Sequence, residues 1–308
     1  MITTLTLSPA YDVHVSMEEF HMERENLAQS VSRDVRGKGV NIARALLANG
    51  VENRPVVLVG SENAADFCRG LAAVGLACET IECPGRIREN ITIHPAKGAE
   101  TRLSFKGFTC DASVLRQVEA CIGESDIVTF TGSLPGGISP EAAEGFLLRM
   151  RETGKRVVID SKSVTLAMLR RIRPWLIKPN EEEIQAYFGG AMNEERLQEI
   201  AMELHEEGIE NVMISLGGEG AILAAEGKLF RARVPKVEVR STIGAGDSAI
   251  AGFIACEGSP VDRLRRAVAF GSAACLREGT NHPLPEDICE IGKCVTVEEL
   301  CTGNGRKK

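Results

Sequence analysis

The sequence predicts an α/β protein built on a doubly wound, mostly parallel β-sheet with helices on both faces. Short β-branched runs alternate with segments of helical periodicity, which is the pattern of repeated βαβ units. The 308 residues are 44% apolar but only 4% aromatic, which favours an aliphatic core around a buried parallel sheet. Right-handed crossovers between parallel strands then place helices on both of its faces.

The predicted elements alternate along most of the chain. The predicted strands are Ile2–Leu7, Arg54–Val59, Ile127–Thr131, Arg156–Asp160, Trp175–Lys178, Asn211–Leu216 and Ala221–Ala225. The predicted helices are Val40–Asn49, Ala64–Val74, Pro140–Glu152, Ser163–Ile172, Asn180–Phe188, Glu195–Glu207, Ala245–Cys256 and Val261–Arg277.

Two stretches, at about residues 12–36 and 86–108, interrupt this alternation. The second contains the strand-like pieces Asn90–His94 and Thr101–Phe105, joined by a turn at Lys97-Gly98. Surface loops of this length without structure are uncommon. We therefore expect the two stretches to form a small additional sheet. Such a sheet cannot easily bury both of its faces alone, so we expect a homodimer in which two of them pair.

Charge and cysteine content limit the classes of function. The net charge of −7 disfavours nucleic acid and anionic membranes as partners. The N-terminus has no basic region typical of a signal peptide, and no apolar run approaches ~18 residues. The sequence therefore predicts a cytoplasmic protein without a membrane partner. Its ten cysteines include no Cys-x-x-Cys pair, which indicates free thiols.

The strongest chemical signal is the segment Gly244-Ala245-Gly246-Asp247, which opens an apolar helix. Its glycines allow successive backbone N–H groups to face one point, where the helix N-terminus adds about half a positive charge. This combination predicts a phosphate-binding site. Asp247 in the first turn is either a helix-stabilising carboxylate or a general base.

A second helix start, Gly37-Lys38-Gly39-Val40-Asn41, places a cation and an amide one turn apart. Lys38 could hold an anion and Asn41 a hydroxyl, or Lys38 could simply face solvent. The segment lacks the spacing of a Walker A loop. The chain also lacks Gly-x-Gly-x-x-Gly, which argues against a dinucleotide enzyme.

Two further segments lie at predicted strand ends, where open α/β sheets bind ligands. The strand at Trp175 delivers Lys178 and Asn180 before a helix whose first turn is acidic. Glu183 in that turn either complements the helix dipole or holds Mg²⁺ through water. The glycine-rich turn Ser215–Gly220 joins two strands and is either a simple hairpin or part of a ligand site.

Together these segments resemble the PfkB family of ribokinase-like carbohydrate kinases. The similarity begins at Thr4–Asp12 and includes Gly37–Asn41, Thr131–Gly137 and the three later segments in family order. Within the family the chain is most similar to bacterial 1-phosphofructokinases and tagatose-6-phosphate kinases. The resemblance implies a single ribokinase-like kinase domain over residues 1–308, with the small sheet as its lid.

The resemblance also implies roles for individual residues. Asp247 is expected to deprotonate the sugar hydroxyl, and the N–H groups of Gly244, Ala245 and Gly246 to stabilise the transferring phosphoryl group. The residues expected to bind the sugar phosphate are Asp12, Gly37, Lys38, Asn41 and Arg88. Those expected at the nucleotide are Lys178, Asn180, Ser215, Gly217, Gly218, Glu219, Gly220 and Gly246, with Glu183 near Mg²⁺.

The implied cofactors are ATP and Mg²⁺. A monovalent cation, which some members hold near Ser241, Ile243 and the segment 277–283, is left open. Fructose 1-phosphate is the leading substrate, with tagatose 6-phosphate or another phospho-sugar as the alternative. Arg36, where these kinases usually carry a small residue, could alter that specificity. A catalytically weak sugar-phosphate-binding regulator is the alternative outside the enzyme class.

Overall fold

A computed structural model describes residues 1–277 and 282–300 and confirms the predicted α/β architecture. Its strands are β1 Ile2–Thr6, β2 Ala10–Glu19, β3 Ser30–Arg36, β4 Asn53–Gly60, β5 Glu79–Cys83, β6 Arg88–Lys97, β7 Thr101–Ser104, β8 Ile127–Thr131, β9 Arg156–Asp160, β10 Leu176–Ile177, β11 Asn211–Ser215, β12 Ala221–Ala225, β13 Lys228–Arg233 and β14 Thr296–Leu300. Its helices are α1 Lys38–Ala48, α2 Ala64–Ala73, α3 Val114–Ile122, α4 Pro140–Glu152, α5 Leu166–Ile172, α6 Glu181–Phe188, α7 Glu194–Glu206, α8 Ala245–Ile254, α9 Pro260–Ala274 and α10 Pro285–Cys294.

The large sheet has ten strands in the order β14-β13-β12-β11-β10-β9-β8-β1-β4-β5. The seven strands from β11 to β5 are parallel, and β12, β13 and β14 extend the sheet in antiparallel fashion. All five residues of β1 and of β8 are buried. These strands are therefore covered on both faces, as their uninterrupted runs of apolar residues and threonines predict.

Two hydrophobic cores lie on opposite faces of this sheet. Consecutive residues of β9, β11 and β12 alternate between them, and in β8 Ile127 belongs to one core and Val128 to the other. One core contains Phe67 and Phe146, which come from α2 and α4, and the other contains Phe253 from α8. This alternation places helices on both faces and confirms the doubly wound arrangement.

The two interrupting stretches form a separate four-stranded sheet in the order β3-β2-β6-β7, as predicted. β2 pairs with β6 in parallel and with β3 in antiparallel fashion. Because side chains alternate along a strand, this small sheet has two distinct faces. We call the face of Asp12, Arg88 and Asn90 the front face. The opposite face, with Tyr11 and Glu89, is the back face.

Several boundaries and elements differ from the sequence prediction. The helix predicted from Ser163 begins at Leu166, because Thr165 caps it by accepting a hydrogen bond from the Met168 N–H (3.3 Å). The elements α3, α10, β5, β13 and β14 were not predicted. No helix in the described part of the chain combines the length and apolarity needed to cross a membrane.

Candidate active site

Asp247 lies buried in the first turn of α8, with only 6% of its surface exposed. Its Oδ2 accepts a hydrogen bond from Asn41 Nδ2 at 2.8 Å. Burial raises the pKa of Asp247 to about 6, although Lys38 and the Asn41 hydrogen bond oppose the shift. A carboxyl group with this pKa is deprotonated near neutral pH yet basic enough to accept a proton.

The start of α8 presents backbone donors beside that carboxylate. Gly244 caps the helix with a positive φ of 81°, a conformation that favours glycine. The Ala245 N–H donates to the Thr242 carbonyl at 3.3 Å, whereas the Gly246 and Asp247 N–H groups have no backbone acceptor within the described residues. Two unpaired donors at a helix N-terminus form a site suited to a phosphate oxygen.

Lys178 brings a cation to the same helix start. A Cβ atom added at Gly246 would lie 3.0 Å from Lys178 Nζ, so the ammonium group rests against this glycine. Although Lys178 is only 6% exposed, its charge is balanced, because its Nζ lies 4.0 Å from Asp160 Oδ2. The phosphate site therefore combines a fixed positive charge with backbone N–H groups.

Asp160, at the end of β9, also holds Lys38, whose Nζ donates to its Oδ2 at 2.8 Å. Burial alone would raise the pKa of Asp160, but Lys178 and Lys38 bring it below its ordinary value. Burial likewise disfavours the charged form of Lys38, yet Asp160 and Asp247 raise its pKa. Asp160 thus stays ionised and fixes both lysines. The sequence prediction missed it because no glycine motif marks this strand end.

Close packing of α1 on β1 places Lys38 and Asn41. A Cβ atom at Gly39 would lie 2.2 Å from the Leu5 carbonyl oxygen, and one at Gly37 would lie 2.4 Å from Thr6 Cγ2. Neither position has room for a side chain. The two glycines therefore let the helix approach the strand closely enough for Asn41 to reach Asp247.

A cleft of about 270 Å³ lies beside this centre and is partly covered by the front face of the small sheet. Its lining combines five cations with one carboxylate and several small or polar residues: Ser8, Ala10, Asp12, Arg36, Gly37, Lys38, Asn41, Arg88, Asn90, Arg102, Gly132, Ser133 and Lys162. An acidic protein thus concentrates positive charge at one cleft, which is typical of a site for an anionic ligand.

The predicted ligands Asp12 and Arg88 lie together on the front face. Asn90 Nδ2 donates to Asp12 Oδ1 at 2.9 Å, and Arg88 Nη2 lies 3.5 Å from Ser133 Oγ. Burial lowers the pKa of Arg88, and the neighbouring Asp12 opposes that shift. None of the described residues forms an ion pair with Arg88, which leaves its guanidinium group available to the cleft.

Eight lining residues were not predicted as ligands: Ser8, Ala10, Arg36, Asn90, Arg102, Gly132, Ser133 and Lys162. Arg102 and Lys162 also form no ion pair within the described residues. Arg36, which the sequence analysis marked as unusual, does line the cleft. Its Nη2 lies 3.2 Å from Asp34 Oδ2, so that part of its charge is balanced by the protein.

The Asn180 segment serves as a helix cap. Asn180 Oδ1 accepts from the Glu183 N–H at 2.8 Å, while Glu183 Oε2 accepts from the Asn180 N–H at 3.2 Å. The other Glu183 oxygen makes no hydrogen bond within residues 1–277 and 282–300. Glu183 also lines a small cavity together with Asp160. Its carboxylate can therefore cap the helix and still face a hydrated cation.

The glycine-rich turn lies next to this cap, because the Ser215 N–H donates to the Pro179 carbonyl at 3.0 Å. Residues Gly217–Glu219 form one 3₁₀ turn, and a Cβ atom at Gly217 or Gly218 would meet nothing within 4 Å. The backbone is accessible to a ligand there. Gly220 has a packing role instead, since a Cβ atom would lie 2.2 Å from the Ala232 carbonyl oxygen.

The described residues contain no group of three or more His, Cys, Asp or Glu side chains that could hold a metal by themselves. Mg²⁺ needs few protein ligands, because it retains water and binds substrate phosphates. The free oxygen of Glu183 near Asp160 fits that coordination. Ser241 and Ile243 lie in the loop before α8, whereas residues 278–281 of the cation region named above lie outside the described residues.

Comparison with known proteins supplies the family. The model of the pfkB family carbohydrate kinases matches residues 9–287. The chain is 32% identical to the 1-phosphofructokinase of Vibrio cholerae, covering 97% of each chain. It is 34% identical to the 1-phosphofructokinase of Haemophilus influenzae, covering 82% of this chain and 83% of the relative.

The structural comparison agrees with this match. Phosphofructokinase-2 from Escherichia coli, solved in complex with substrates and products, superposes with a TM-score of 0.87 at 27% identity. The superposition covers 95% of this chain and 98% of that one. A structure of the same enzyme in complex with potassium gives a TM-score of 0.86, also at 27% identity and with the same coverage. The chain belongs to the pfkB family of carbohydrate kinases and is a phosphotransferase with an alcohol group as acceptor.

Proposed function

We propose that the chain uses ATP to phosphorylate a sugar phosphate, with fructose 1-phosphate as the leading substrate and fructose 1,6-bisphosphate as the product. The observation that carries this proposal is the cleft with Arg88, Arg102 and Lys162, three cations that have no carboxylate partner among the residues that the structure describes. A neutral sugar would leave these charges unmatched. A phosphate group on the acceptor would pair with two or three of them.

On the acceptor side, Asp12, Asn90 and Asn41 offer hydrogen bonds to sugar hydroxyls, and Asn41 also orients the Asp247 carboxylate. The hydroxyl that lies against Asp247 loses its proton to that carboxylate as it attacks. Lys38 lines the cleft and its charge interacts with that of Asp247, so its positive charge favours the developing alkoxide.

On the donor side, the N-terminus of α8 and Lys178 face the transferring phosphoryl group, and the turn Gly217-Gly218 lies open toward the nucleotide. Asp160 and Glu183 are the carboxylates that fit Mg²⁺, which neutralises charge on the phosphates when bound. The division of the chain into one kinase domain with a lid, and its cytoplasmic location, remain predictions.

The choice of sugar rests on the relatives, which are named 1-phosphofructokinases. Tagatose 6-phosphate, or another phospho-sugar, is the alternative within the enzyme class. Arg36 and Lys162 bear on this choice because both add positive charge to the cleft. A regulator that binds sugar phosphate without turnover would use the same cleft.

A coupled ADP-release assay over a panel of phospho-sugars tests the substrate. We expect the highest kcat/KM for fructose 1-phosphate, and at least ~10-fold lower values for unphosphorylated fructose and tagatose, because each lacks the group that pairs with Arg88. A higher kcat/KM for tagatose 6-phosphate or fructose 6-phosphate would contradict the substrate assignment. Tight binding without ADP release would instead favour the regulator.

We further propose that the small sheet pairs with that of a second copy. The strands of this sheet and the residues adjoining them expose apolar side chains at Met22, Leu27, Val31, Leu103 and Phe105, with 91% of Met22 and 61% of Val31 accessible. Val31 and Leu103 both lie on the back face, according to the strand register. A cluster of exposed apolar residues on a small sheet favours association.

Light scattering during gel filtration tests this pairing. We expect a dimer for the wild type at micromolar concentration, and a monomer for the double variant Val31→Glu/Leu103→Glu, because paired carboxylates would be buried at the interface. Val74→Glu, at an exposed apolar residue that follows α2, is the matched control and should remain dimeric. A monomeric wild type would refute the proposal.

A further inference from the structure

The back face of the small sheet is tied to α2 by a group of polar contacts. Asp66, in the first turn of α2, accepts hydrogen bonds from Tyr11 Oη at 2.9 Å and Arg33 Nη1 at 2.7 Å. Arg33 Nη2 donates to Glu89 Oε1 at 2.9 Å. We call Tyr11, Arg33, Asp66 and Glu89 the Asp66 latch. It joins three strands of the small sheet to α2, a helix that packs on the large sheet.

Close packing surrounds the latch. The Arg33 guanidinium lies over the Tyr11 ring, 3.4 Å from its centroid, and that ring packs edge-on against Phe67 at 5.2 Å. A Cβ atom at Gly70 would lie 2.4 Å from Val35 Cγ1. Residues 66 and 67 share one side of α2 with residue 70 because each of them lies about one helical turn before it. This side of α2 is therefore the support on which β2 and β3 rest.

Two latch residues, Tyr11 and Glu89, are direct sequence neighbours of residues that face the cleft. Tyr11 precedes Asp12, and Glu89 stands between Arg88 and Asn90. Because side chains alternate between the two faces of a strand, a contact that fixes Tyr11 and Glu89 also fixes the strands that carry Asp12 and Arg88. The back face is thus mechanically coupled to the substrate-facing front face, although the Asp66 latch does not line the cleft.

We propose that Asp66 is a positioning residue for the phosphorylated substrate. It holds the small sheet in the position where Asp12 and Arg88 face the cleft, without touching the substrate. This proposal rests on the proposed function. It predicts that the latch contributes to sugar-phosphate binding and leaves nucleotide binding unaffected. The predicted nucleotide residues lie between β10 and α6, at the end of β11 and the turn after it, and at the start of α8, all remote in sequence and sheet position from α2.

The latch is weak enough to open during turnover. The side chains of Arg33, Asp66 and Glu89 are 35%, 45% and 32% exposed, and ion pairs at such exposure contribute little each. A lid must open to release product, so a latch of modest strength suits it. Apparent affinity is reduced in proportion to the fraction of molecules in the competent position. Losing the latch therefore raises KM for the sugar phosphate more than it lowers kcat.

Kinetics of Asp66→Asn, on whichever phospho-sugar the panel finds most active, test the proposal. We expect KM for the phospho-sugar to rise about 3–10-fold, with KM for ATP unchanged and kcat within about twofold. Arg33→Met should likewise raise KM for the phospho-sugar and leave KM for ATP unchanged. The double variant should raise KM for the phospho-sugar little beyond the value of either single variant. The matched control is Arg69→Ala, which removes a partner of Asp66 (3.2 Å) on the same helix without a hydrogen bond or ion pair to the small sheet.

Hydrogen exchange of the free enzyme provides a readout independent of activity. Amides of β2 and β3 should exchange faster in Asp66→Asn than in the wild type, whereas those of β8 and β9 should not change. Unchanged KM for the phospho-sugar in an active enzyme, or equal rises of both KM values, would overturn the positioning role even if exchange increased. Absence of turnover in the wild type would instead refute the proposed function, which keeps the two failures distinct.

Discussion

Asp247→Asn is expected to lower kcat at least ~10²-fold while ATP still binds and the protein still folds, because the amide cannot accept the hydroxyl proton. The substituted side chain keeps the size of the carboxyl group and can still accept the hydrogen bond from Asn41. Steady-state kinetics with the phospho-sugar, together with nucleotide titration, measure the two effects separately. Near-wild-type turnover would rule out Asp247 as the base.

The pH profile provides a second check of the same assignment. Burial raises the pKa of Asp247 to about 6, so kcat/KM of the wild type should fall toward tenfold per pH unit below that value. The residual activity of Asp247→Asn should lack this limb. Asp262→Asn is a matched control, because Asp262 occupies the equivalent first-turn position of α9 in an exposed capping box. It should leave both kcat and the pH profile unchanged.

Asp247→Asn should also stabilise the fold at neutral pH. The pKa of Asp247 is raised from 3.8 to about 6 on folding, so the folded state binds this proton more tightly than the unfolded state. The folded protein is therefore more stable below pH ~4, where Asp247 is protonated, and loses that stability as the pH rises through 6. An uncharged amide avoids that loss, which is worth up to about 3 kcal/mol at 1.36 kcal/mol per pKa unit. We therefore expect a higher Tm for Asp247→Asn at pH 7.5, with the difference vanishing near pH 4.

Arg88→Met is expected to lower kcat/KM for the phospho-sugar about 10²-fold with little change in KM for ATP. Arg88 faces the cleft and forms no ion pair in the described part of the chain, so its guanidinium can give two charge-assisted hydrogen bonds to a phosphate. Losing such bonds costs roughly 1.5–3 kcal/mol each. Methionine preserves much of the apolar stem, which limits any loss from packing. Initial-rate kinetics with each substrate varied in turn provide the measurement.

Two comparisons make the Arg88 result specific. Arg86→Met removes an equal charge two residues away, at an exposed position that does not line the cleft, and should change neither KM. Activity toward the unphosphorylated sugar, weak as we expect it to be, should not fall in Arg88→Met. Equal losses for phospho-sugar and ATP would show that Arg88 does not act on the acceptor phosphate.

Much of the fold followed from local sequence patterns. The alternation of strands and helices predicted the parallel part of the large sheet, and the two interrupting stretches predicted the small one. The strands β13 and β14 were missed because they extend the sheet beyond its parallel part, where no strand–helix alternation guides the assignment. Short edge elements depend on packing against their neighbours, which a single sequence does not encode locally.

The candidate site was predictable where a motif marks it and not elsewhere. Gly37 and Gly244 belong to motifs that mark the starts of two helices. The fold then brings Asn41 into contact with Asp247 across 206 residues of sequence. Asp160 and Lys162 carry no such motif, since one carboxylate at a strand end is common. Only the folded structure, in which β9 lies between β8 and β10, reveals that Asp160 pairs with Lys38 and Lys178.

The two-faced geometry of β2 has a consequence for how the small sheet can evolve. Substitutions can change the front face without disturbing the back face, because even-numbered residues of β2 lie on the face toward the cleft and odd-numbered ones on the face toward α2. Inserting or deleting one residue near Tyr11 would exchange the two faces, so that Asp12 would face α2 and Tyr11 would face the cleft. Substrate preference can thus change through point substitutions along this strand, while its length is held constant by the need to keep both faces in register.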